Sequence, residues 1–283
     1  MKPYVDLTKP RITWLILMST GVGYFFGMKD GFHWLAFLHT LIGTGLIASG
    51  TAALNQWWEH LADAKMERTN KRPIPSGQVS PDNAVRFGAL LSVLGFAELW
   101  LGVNPLTGIL GALTLGSYLF IYTPMKQRSP HSTTIGAIPG AMPPLIGFAA
   151  ACGTLTMEAW VLFGILFLWQ FPHFYSIAWM YRDDYARAGI RMLPVVEPDG
   201  ESTSKQIVAF SVVLIPFSLL PVFLAMTGKI YFVGAIMLGM FFLYAGIRVA
   251  RERTLVRARG VLLASVLYLP LLYGLMMLDR PSL

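Results

Sequence analysis

The stretch WLAFLHTLIGTGLIASGTAALNQWW, at residues 34–58, decides the fold of this chain. It contains no Asp, Glu, Lys or Arg. A helix of about 20 consecutive apolar residues is long enough to cross the hydrocarbon core of a bilayer. Since backbone polar groups in lipid must bond one another, the sequence predicts that this stretch is a transmembrane helix.

Comparable apolar runs fill most of the chain. Hydrophobic residues make up 55% of the sequence and charged residues only 13%, whereas a soluble domain carries about 25% charged residues. The predicted fold class is therefore all-α, a polytopic membrane protein with about nine transmembrane helices in a single domain, residues 1–283. The expected spans lie near residues 12–28, 34–58, 83–102, 105–123, 133–152, 158–180, 206–226, 230–248 and 259–278.

Basic residues collect on one side of these spans. The opposite side receives only Lys29, Lys229 and Arg280. By the positive-inside rule, the N-terminus and the basic loops are cytoplasmic, and an odd number of spans places the C-terminus on the other side. The predicted cytoplasmic cap loops lie near residues 59–82, 123–132, 181–205 and 249–258.

The same distribution accounts for the net charge of +7. A basic balance can indicate nucleic-acid binding, but charges confined to loops beside membrane spans follow from topology and anionic lipid. We therefore expect membrane lipid as a partner and no nucleic acid. The single cysteine, Cys152, excludes an intrachain disulfide framework and a cysteine-rich metal site.

A first acidic cluster lies at the cytoplasmic end of the second span. Asn55, Glu59 and Asp63 are spaced by four residues, so in a continuing helix their oxygen-bearing side chains share one stripe. Such a stripe can hold Mg²⁺, which prefers oxygen ligands and is usually bound together with substrate phosphates. The alternative is a solvated helix end whose spacing arises by chance.

Cations follow this stripe within one short loop. Arg68, Lys71 and Arg72 lie close behind it, before the proline-restricted turn at residues 72–77. Acids for a metal and bases for phosphate oxygens therefore occur together, as a diphosphate bridged by Mg²⁺ would require. Further cations on the same face are Lys126, Arg128 and Arg182.

The sixth span carries polar residues inside an apolar run. Trp169, Gln170 and His173 occur in WQFPHF, residues 169–174, and Asp183 and Asp184 follow the span. Polar residues within a membrane span are candidates for function, although an interhelical hydrogen bond is the plainer alternative. The fifth span is rich in Gly and Pro and is expected to be a broken helix that lines a pocket.

At these residues the sequence resembles the protoheme IX farnesyltransferases, or heme O synthases, a branch of the UbiA superfamily of intramembrane prenyltransferases. Residues 55–63 resemble the first Asp-rich motif of the superfamily, with Glu59 in place of an Asp. The second acidic region differs, because it has Asp183-Asp184 rather than two Asp spaced by four. Segments more specific to the heme branch are residues 66–73, 122–124, 169–174 and 184–194.

The resemblance implies a nine-helix bundle around a lateral, lipid-accessible cavity with a polar cytoplasmic cap, in a bacterial inner membrane. It implies that a farnesyl group passes from farnesyl diphosphate to a vinyl group of heme B, with addition of water, to give heme O. The implied cofactor is Mg²⁺. The implied partners are heme B, farnesyl diphosphate, membrane lipid and a heme A-forming enzyme.

The resemblance also distributes roles among the candidate residues. Expected catalytic residues are Asn55, Glu59, Asp63, Tyr122 and Asp184, and expected Mg²⁺ ligands are Asn55, Glu59, Asp63, Asp183 and Asp184. Expected diphosphate-binding residues are Arg68, Lys71, Arg72, Lys126, Arg128 and Arg182. Expected heme-binding residues on the acceptor side are Trp169, Gln170 and His173.

Two alternatives to this function stay open. Within the superfamily, the acceptor is a quinone-precursor aromatic or another tetrapyrrole. From another class comes a secondary transporter, since broken helices and intramembrane polar residues also occur there. Transporter sites normally lie near the membrane midplane, whereas the charges of this chain lie at one face.

Overall fold

The computed structural model describes residues 1–29 and 31–281, and the regular elements in this part of the chain are helices. The nine long helices are α1 (Pro10–Gly27), α2 (Trp34–Asp63), α3 (Pro81–Gly102), α4 (Pro105–Met125), α5 (Ser132–Cys152), α6 (Met157–Met180), α7 (Glu201–Phe223), α8 (Lys229–Arg251) and α9 (Leu255–Leu278). Three short helices are Lys2–Leu7, Arg182–Arg187 and Leu193–Val196.

The prediction of an all-helical membrane protein is confirmed. Among the described residues, eight helices, α2 to α9, are long and apolar enough to cross a membrane. The first predicted span is the 18-residue helix α1, which is not one of these eight. At 1.5 Å per residue it is about 27 Å long, and it packs inside the same bundle.

Local sequence signals fix where several helices begin. Ser80 and Asn104 accept hydrogen bonds from the backbone N–H groups of Asn83 and Thr107, at 3.3 and 2.9 Å, and so cap α3 and α4. Each cap precedes a proline at the first helical position, where no N–H is needed. Thr254 caps α9 in the same way.

Two helices deviate from α geometry. Within α4, residues Ser117–Tyr122 form a π-helical segment, and the hydroxyl of Thr123 donates to the Tyr118 carbonyl at 2.9 Å. Helix α5 is broken between Ser132–Gly140 and Pro143–Cys152. Since Pro143 and Pro144 have no N–H, the hydrogen bonds that would continue the first half are lost.

Neighbouring long helices pack against one another along the chain from α1 to α9. Helix α6 also packs against α9, and α1 packs against the second half of α5. The α1–α5 contact brings backbones together, because a Cβ placed on Gly147 would lie 1.9 Å from the Thr20 carbonyl oxygen. Arg280, just after α9, donates to the Phe25 carbonyl of α1 at 2.8 Å, which links the first and the last of the long helices.

The loops predicted to form the cap meet at one end of the bundle. The backbone N–H of Arg191 donates to the Lys126 carbonyl at 2.7 Å. The N–H groups of Glu67 and Arg68 donate to the Asp184 carboxylate, each at 3.2 Å. We call this end of the molecule the basic face, defined by residues 64–80, 126–131 and 181–200.

Candidate functional site

The stripe of Asn55, Glu59 and Asp63 lies on the last turns of α2, at the basic face. Asn55 and Asp63 are buried and Glu59 is half-buried. Asn55 Nδ2 donates to Glu59 Oε2 at 3.0 Å and to Thr123 Oγ1 on α4 at 3.3 Å. The four-residue spacing therefore brings an amide and two carboxylates together on the inner side of the helix end.

Lys126 places an ammonium group on this stripe from the end of α4. Its Nζ lies 2.9 Å from Glu59 Oε1 and 3.1 Å from Oε2. The two side chains are only 12% and 11% exposed, so solvent screens the pair weakly. Burial opposes the charged form of the lysine, but the facing Glu59 carboxylate raises the pKa of Lys126 above its usual value.

The ring of Tyr122 forms one wall beside this ion pair. Lys126 Nζ lies 4.5 Å from the centre of the ring, within the range of a cation–π interaction. The ring also packs closely against α5, since a Cβ placed on Gly136 would lie 2.4 Å from a ring carbon. Because Gly136 has no side chain, the broken fifth helix leaves room for the Tyr122 ring at this position.

Arg72 forms the second ion pair of the site, with the last acid of the stripe. Its Nη1 lies 2.6 Å from Asp63 Oδ2. Thr69 Oγ1 donates to the Asp63 carbonyl at 2.9 Å, which holds the intervening loop against the end of α2. The other carboxylate oxygen, Asp63 Oδ1, is buried and has no hydrogen-bond partner among the described residues.

Lys9 is a member of the site that the sequence reasoning missed. By sequence it is one of the basic residues that precede the first span and follow the positive-inside rule, yet its Nζ donates to Asn55 Oδ1 at 3.3 Å. Burial and the charges of Arg72 and Lys126 lower the pKa of Lys9 to about 7, while Glu59 and Asp63 act in the opposite direction. Its backbone is left-handed, with φ 49° and ψ 60°, directly before Pro10.

The one signal in the sequence that could have identified this lysine is its position before a proline at the start of a span. That position turns the chain sharply and directs the residue toward the bundle. Gln56 Nε2 supports the turn by donating to the Leu7 carbonyl at 2.8 Å. The sequence alone does not reveal that α1 begins beside the end of α2.

The oxygen atoms of the stripe fit a hard cation that brings further ligands with it. In the described part of the chain, no three His, Cys, Asp or Glu side chains form a group that could hold a metal ion. Asp63 Oδ1 is nevertheless a buried oxygen without a partner among the described residues. The oxygens of Asn55 and Glu59, which accept from Lys9 and Lys126, lie on the same stripe. A Mg²⁺ ion here would need substrate phosphate oxygens to complete its coordination, which is its usual mode of binding.

Asp184, predicted as a metal ligand, contacts the loop that follows α2. Besides the two backbone donors from Glu67 and Arg68, its carboxylate pairs with Arg187. Both of its oxygens therefore accept hydrogen bonds from protein groups. The neighbouring Asp183 is 87% exposed and lies 3.7 Å from Arg182 Nε, so the structure does not bring it to the stripe.

An open pocket of about 610 Å³ lies beside this loop contact. The guanidinium of Arg68 lines it and lies 5.1 and 6.0 Å from the ring centres of Tyr181 and Tyr185. The other lining residues are Glu67, Met180, Asp183, Asp184 and Arg187. The pocket joins the region after α2 to the region after α6.

The remaining predicted cations lie farther out. Lys71 and Arg128 are exposed. Arg182 lies over the ring of Trp179, with its guanidinium carbon 4.4 Å from the ring centre. The structure thus gathers Lys9, Arg72 and Lys126 at the acidic stripe, while Lys71, Arg128 and Arg182 form an outer rim.

The three polar residues predicted on the acceptor side lie on α6, deeper in the bundle. His173 Nδ1 is 2.8 Å from Ser265 Oγ on α9, and Trp169 stacks on the imidazole with ring centres 4.7 Å apart. Gln170 is buried and donates to the carbonyls of Ala137 and Leu166, at 3.0 and 3.2 Å. The amide of Gln170 thus supports the break in α5, whereas the imidazole of His173 stays half-buried.

A helical membrane bundle with carboxylates and cations gathered at one face is the architecture expected of an intramembrane prenyltransferase. The chain belongs to the UbiA prenyltransferase family, which it matches over residues 16–272. Full-length relatives place it in the protoheme IX farnesyltransferase branch of that family, as the resemblance predicted.

Three of these relatives are named protoheme IX farnesyltransferase. The protein from Solibacter usitatus is 67% identical, and the match covers 100% of both chains. The protein from Koribacter versatilis is 47% identical, covering 99% of this chain and 94% of the relative. The protein from Salinibacter ruber is 46% identical, covering 98% of each.

Solved structures show the same fold at low sequence identity. A UbiA homologue from Aeropyrum pernix in its apo form aligns with a TM-score of 0.75 and 20% identity, covering 96% of this chain and 98% of that one. A homologue from Archaeoglobus fulgidus bound to GPP and Mg²⁺ aligns with a TM-score of 0.69 and 15% identity, covering 97% and 99%. These similarities confirm the predicted architecture.

Proposed function

We propose that this protein transfers the farnesyl group of farnesyl diphosphate to a vinyl group of heme B, with addition of water, to give heme O. The observation that carries the proposal is the cluster at the end of α2. There, Asp63 Oδ1 is buried without a partner among the described residues, and the cations Arg72 and Lys126 pair with the two carboxylates of the stripe. The nature of the two substrates rests on the full-length similarity to proteins named protoheme IX farnesyltransferase.

Asn55, Glu59 and Asp63 are the residues that would hold Mg²⁺. When bound, Mg²⁺ would supply positive charge against the oxygens of the departing diphosphate. The archaeal homologue bound to GPP and Mg²⁺ supports this cofactor for the fold. Asp184 is a weaker candidate for a ligand, because its carboxylate lies off the stripe and accepts from the backbone of the loop after α2.

Three buried or half-buried cations bind the diphosphate in this account. Arg72 offers a forked pair of donors, whereas Lys9 and Lys126 act as point charges. All three are held by the acidic stripe before substrate enters. They are thus positioned where negative charge develops as the leaving group departs, which lowers the barrier to its departure. Arg68 in the open pocket and the outer rim of Lys71, Arg128 and Arg182 attract the diphosphate toward the site.

The bond between C1 of the farnesyl chain and the diphosphate oxygen breaks, and the diphosphate leaves with the electron pair. The π electrons of the heme vinyl group then form a carbon–carbon bond to C1, which leaves a cation on the vinyl carbon next to the porphyrin. Water adds to that carbon and loses one proton, so that a hydroxyethylfarnesyl group results.

Tyr122 stabilises the allylic cation in this account. Its ring lies near the Lys126 ammonium and packs against Gly136, and an aromatic face attracts positive charge. The apolar helices around it limit the access of water, which would otherwise intercept the cation.

The acceptor binds deeper in the membrane, beside α6. His173 lies seven residues before Met180, the last residue of α6 at the basic face, about 10 Å along the helix. That separation suits a heme held below the diphosphate, with His173 and Trp169 on its side. Gln170 has its amide donors bound to two backbone carbonyls, so its predicted contact with heme is the weakest of the three.

The orientation and the partner follow from the same proposal. The basic face and the N-terminus lie in the cytoplasm, where farnesyl diphosphate is soluble, and the C-terminus lies on the other side. The product is a lipid-like heme that a heme A-forming enzyme in the same membrane could receive.

A comparison of two acceptors, each supplied separately, distinguishes this proposal from the two alternatives. The purified protein in lipid vesicles is given farnesyl diphosphate and Mg²⁺ with either heme B or 4-hydroxybenzoate, and released diphosphate is measured. We expect release that depends on heme B. Release that depends on the aromatic acid would indicate a quinone-precursor enzyme, and substrate movement without diphosphate release would indicate a transporter.

A further inference from the structure

We propose that Ser265 on α9 is a positioning residue that fixes the tautomer of His173, so that Nε2 of His173 ligates the iron of the heme substrate. The inference rests on the proposed function and deepens it, because it commits to the group on the protein that contacts the iron. The observations that carry it are hydrogen bonds between α6 and α9.

Ser265 forms hydrogen bonds in two directions. Its Oγ is 2.6 Å from the Leu262 carbonyl oxygen, one turn earlier on α9. The same Oγ is 2.8 Å from His173 Nδ1. Ser265 is fully buried, so water does not compete for either contact.

A count of protons determines the direction of the second bond. A serine hydroxyl has one proton, and a backbone carbonyl can only accept. The Ser265 proton therefore goes to Leu262, and the lone pairs of Oγ remain for His173. Nδ1 must donate, so the proton of the neutral imidazole is on Nδ1 and Nε2 keeps its lone pair.

Trp169 fixes the plane of the imidazole. Its ring stacks on that of His173 with 21° between the planes, and its Nε1 donates to the Ser265 carbonyl at 2.9 Å. Two hydrogen bonds and one stacked contact thus hold three side chains as a unit between α6 and α9. His173 cannot rotate without breaking this unit.

The free nitrogen has the properties of a metal ligand. His173 is half-buried, and the described residues offer Nε2 no hydrogen-bond partner. Metal-binding histidines characteristically donate their other ring N–H to a nearby oxygen, which fixes the tautomer and the ring orientation. Neutral imidazole is a common ligand of heme iron. Ser265 Oγ occupies the place of that supporting oxygen.

The test is a titration with ferric heme B alone, without farnesyl diphosphate, of the full-length protein in lipid nanodiscs. Absorption and electron paramagnetic resonance spectra report the iron ligand. Loss of a supporting contact of this kind typically weakens metal affinity by about 10- to 100-fold. We therefore expect Ser265→Ala to weaken heme binding by that factor and to change the spectrum.

Ser211→Ala is the matched control. Ser211 is also a buried serine in a long helix, and its hydroxyl donates to the Ile207 carbonyl one turn earlier. Its loss removes a comparable hydrogen bond without touching His173, so heme affinity and spectrum should stay those of the wild type. A general packing defect would affect both variants alike.

His173→Gly gives a second test that does not depend on Ser265. We expect this variant to lose the histidine-ligated spectrum and to regain it when free imidazole is added. Wild-type heme affinity and spectrum in Ser265→Ala, or a His173→Gly spectrum that matches the wild type, would overturn the inference. The proposed function fails separately, if a protein that binds heme through His173 forms no farnesylated heme.

Discussion

Asp63 and Arg72 form an ion pair of 2.6 Å that uses only one of the two carboxylate oxygens. The other, Oδ1, is buried without a partner among the described residues. A buried acceptor left unpaired normally costs free energy of folding. The protein tolerates this cost at Asp63, the carboxylate of the α2 stripe that Lys126 does not contact. Asp63 Oδ1 is therefore the oxygen at which Mg²⁺ would bind together with the diphosphate.

The first prediction concerns this acid. Asp63→Asn should lower farnesyl transfer by about 100-fold, because the neutral amide cannot compensate the charge of a bound cation. Heme binding should be unchanged. Activity is measured as farnesylated heme formed, with Glu67→Gln as the matched control, since Glu67 is 84% exposed and lies outside the stripe.

Glu59→Asp should keep measurable turnover in the same assay, because it keeps a carboxylate on the stripe. Full activity in Asp63→Asn would contradict the assignment of the stripe as a cation site.

The second prediction concerns Lys126. Lys126→Met should lower turnover by about 100-fold or more, because it removes a buried cation where charge develops on the leaving diphosphate. Lys71→Met is the comparison and should lose much less turnover, since Lys71 is exposed on the outer rim and solvent screens its charge. Isothermal titration with a non-hydrolysable farnesyl diphosphate analogue separates weaker binding from slower chemistry. An equal loss in both variants would mean that only the total charge of the face matters.

The third prediction separates the two adjacent aspartates. Asp184→Asn should loosen the contact between the loop after α2 and the region after α6, because one carboxylate oxygen becomes an NH₂ group that faces a backbone donor. Hydrogen exchange of the Glu67 and Arg68 amides should become faster. Asp183→Asn should change neither, as Asp183 is 87% exposed.

A hydrogen bond to a charged group contributes about 1.5–3 kcal/mol. The loss of protection of the Glu67 and Arg68 amides in Asp184→Asn should therefore be easy to measure. If Asp184→Asn leaves that protection intact and instead abolishes dependence on Mg²⁺, Asp184 is a metal ligand rather than a contact between loops.

The fourth prediction concerns the orientation in the membrane. With Cys152→Ser as background, a single cysteine at Ser76 in the loop after α2 should react with an impermeant maleimide only from the cytoplasmic side. A cysteine at Pro281, after α9, should react only from the other side. Labelling of both positions from one side would rule out an odd number of crossings.

Most of the fold could be predicted from the sequence, because long apolar runs leave a chain in lipid few choices other than helices. The broken fifth helix was also predictable, since Pro143 and Pro144 cannot continue its hydrogen bonds. The π-helical segment Ser117–Tyr122 was not predicted, because the apolar pattern of the span does not distinguish it from the α-helix around it.

Less of the candidate site could be predicted. The spacing of Asn55, Glu59 and Asp63 indicated one stripe, since helix periodicity is local. Lys9 was missed because its contact with Asn55 joins residues far apart in the chain. The contacts of Asp184 with the loop after α2 likewise depend on how two distant loops meet, which no local pattern reveals.

The most direct test of the account is mass analysis of heme extracted after the wild-type protein in lipid has been incubated with heme B, farnesyl diphosphate and Mg²⁺. We predict a product heavier than heme B by one farnesyl group and one hydroxyl group, formed only when all three are present and nearly absent with Asp63→Asn. Recovery of unmodified heme B from the wild-type reaction, with diphosphate released or the farnesyl group attached to another acceptor, would contradict the account.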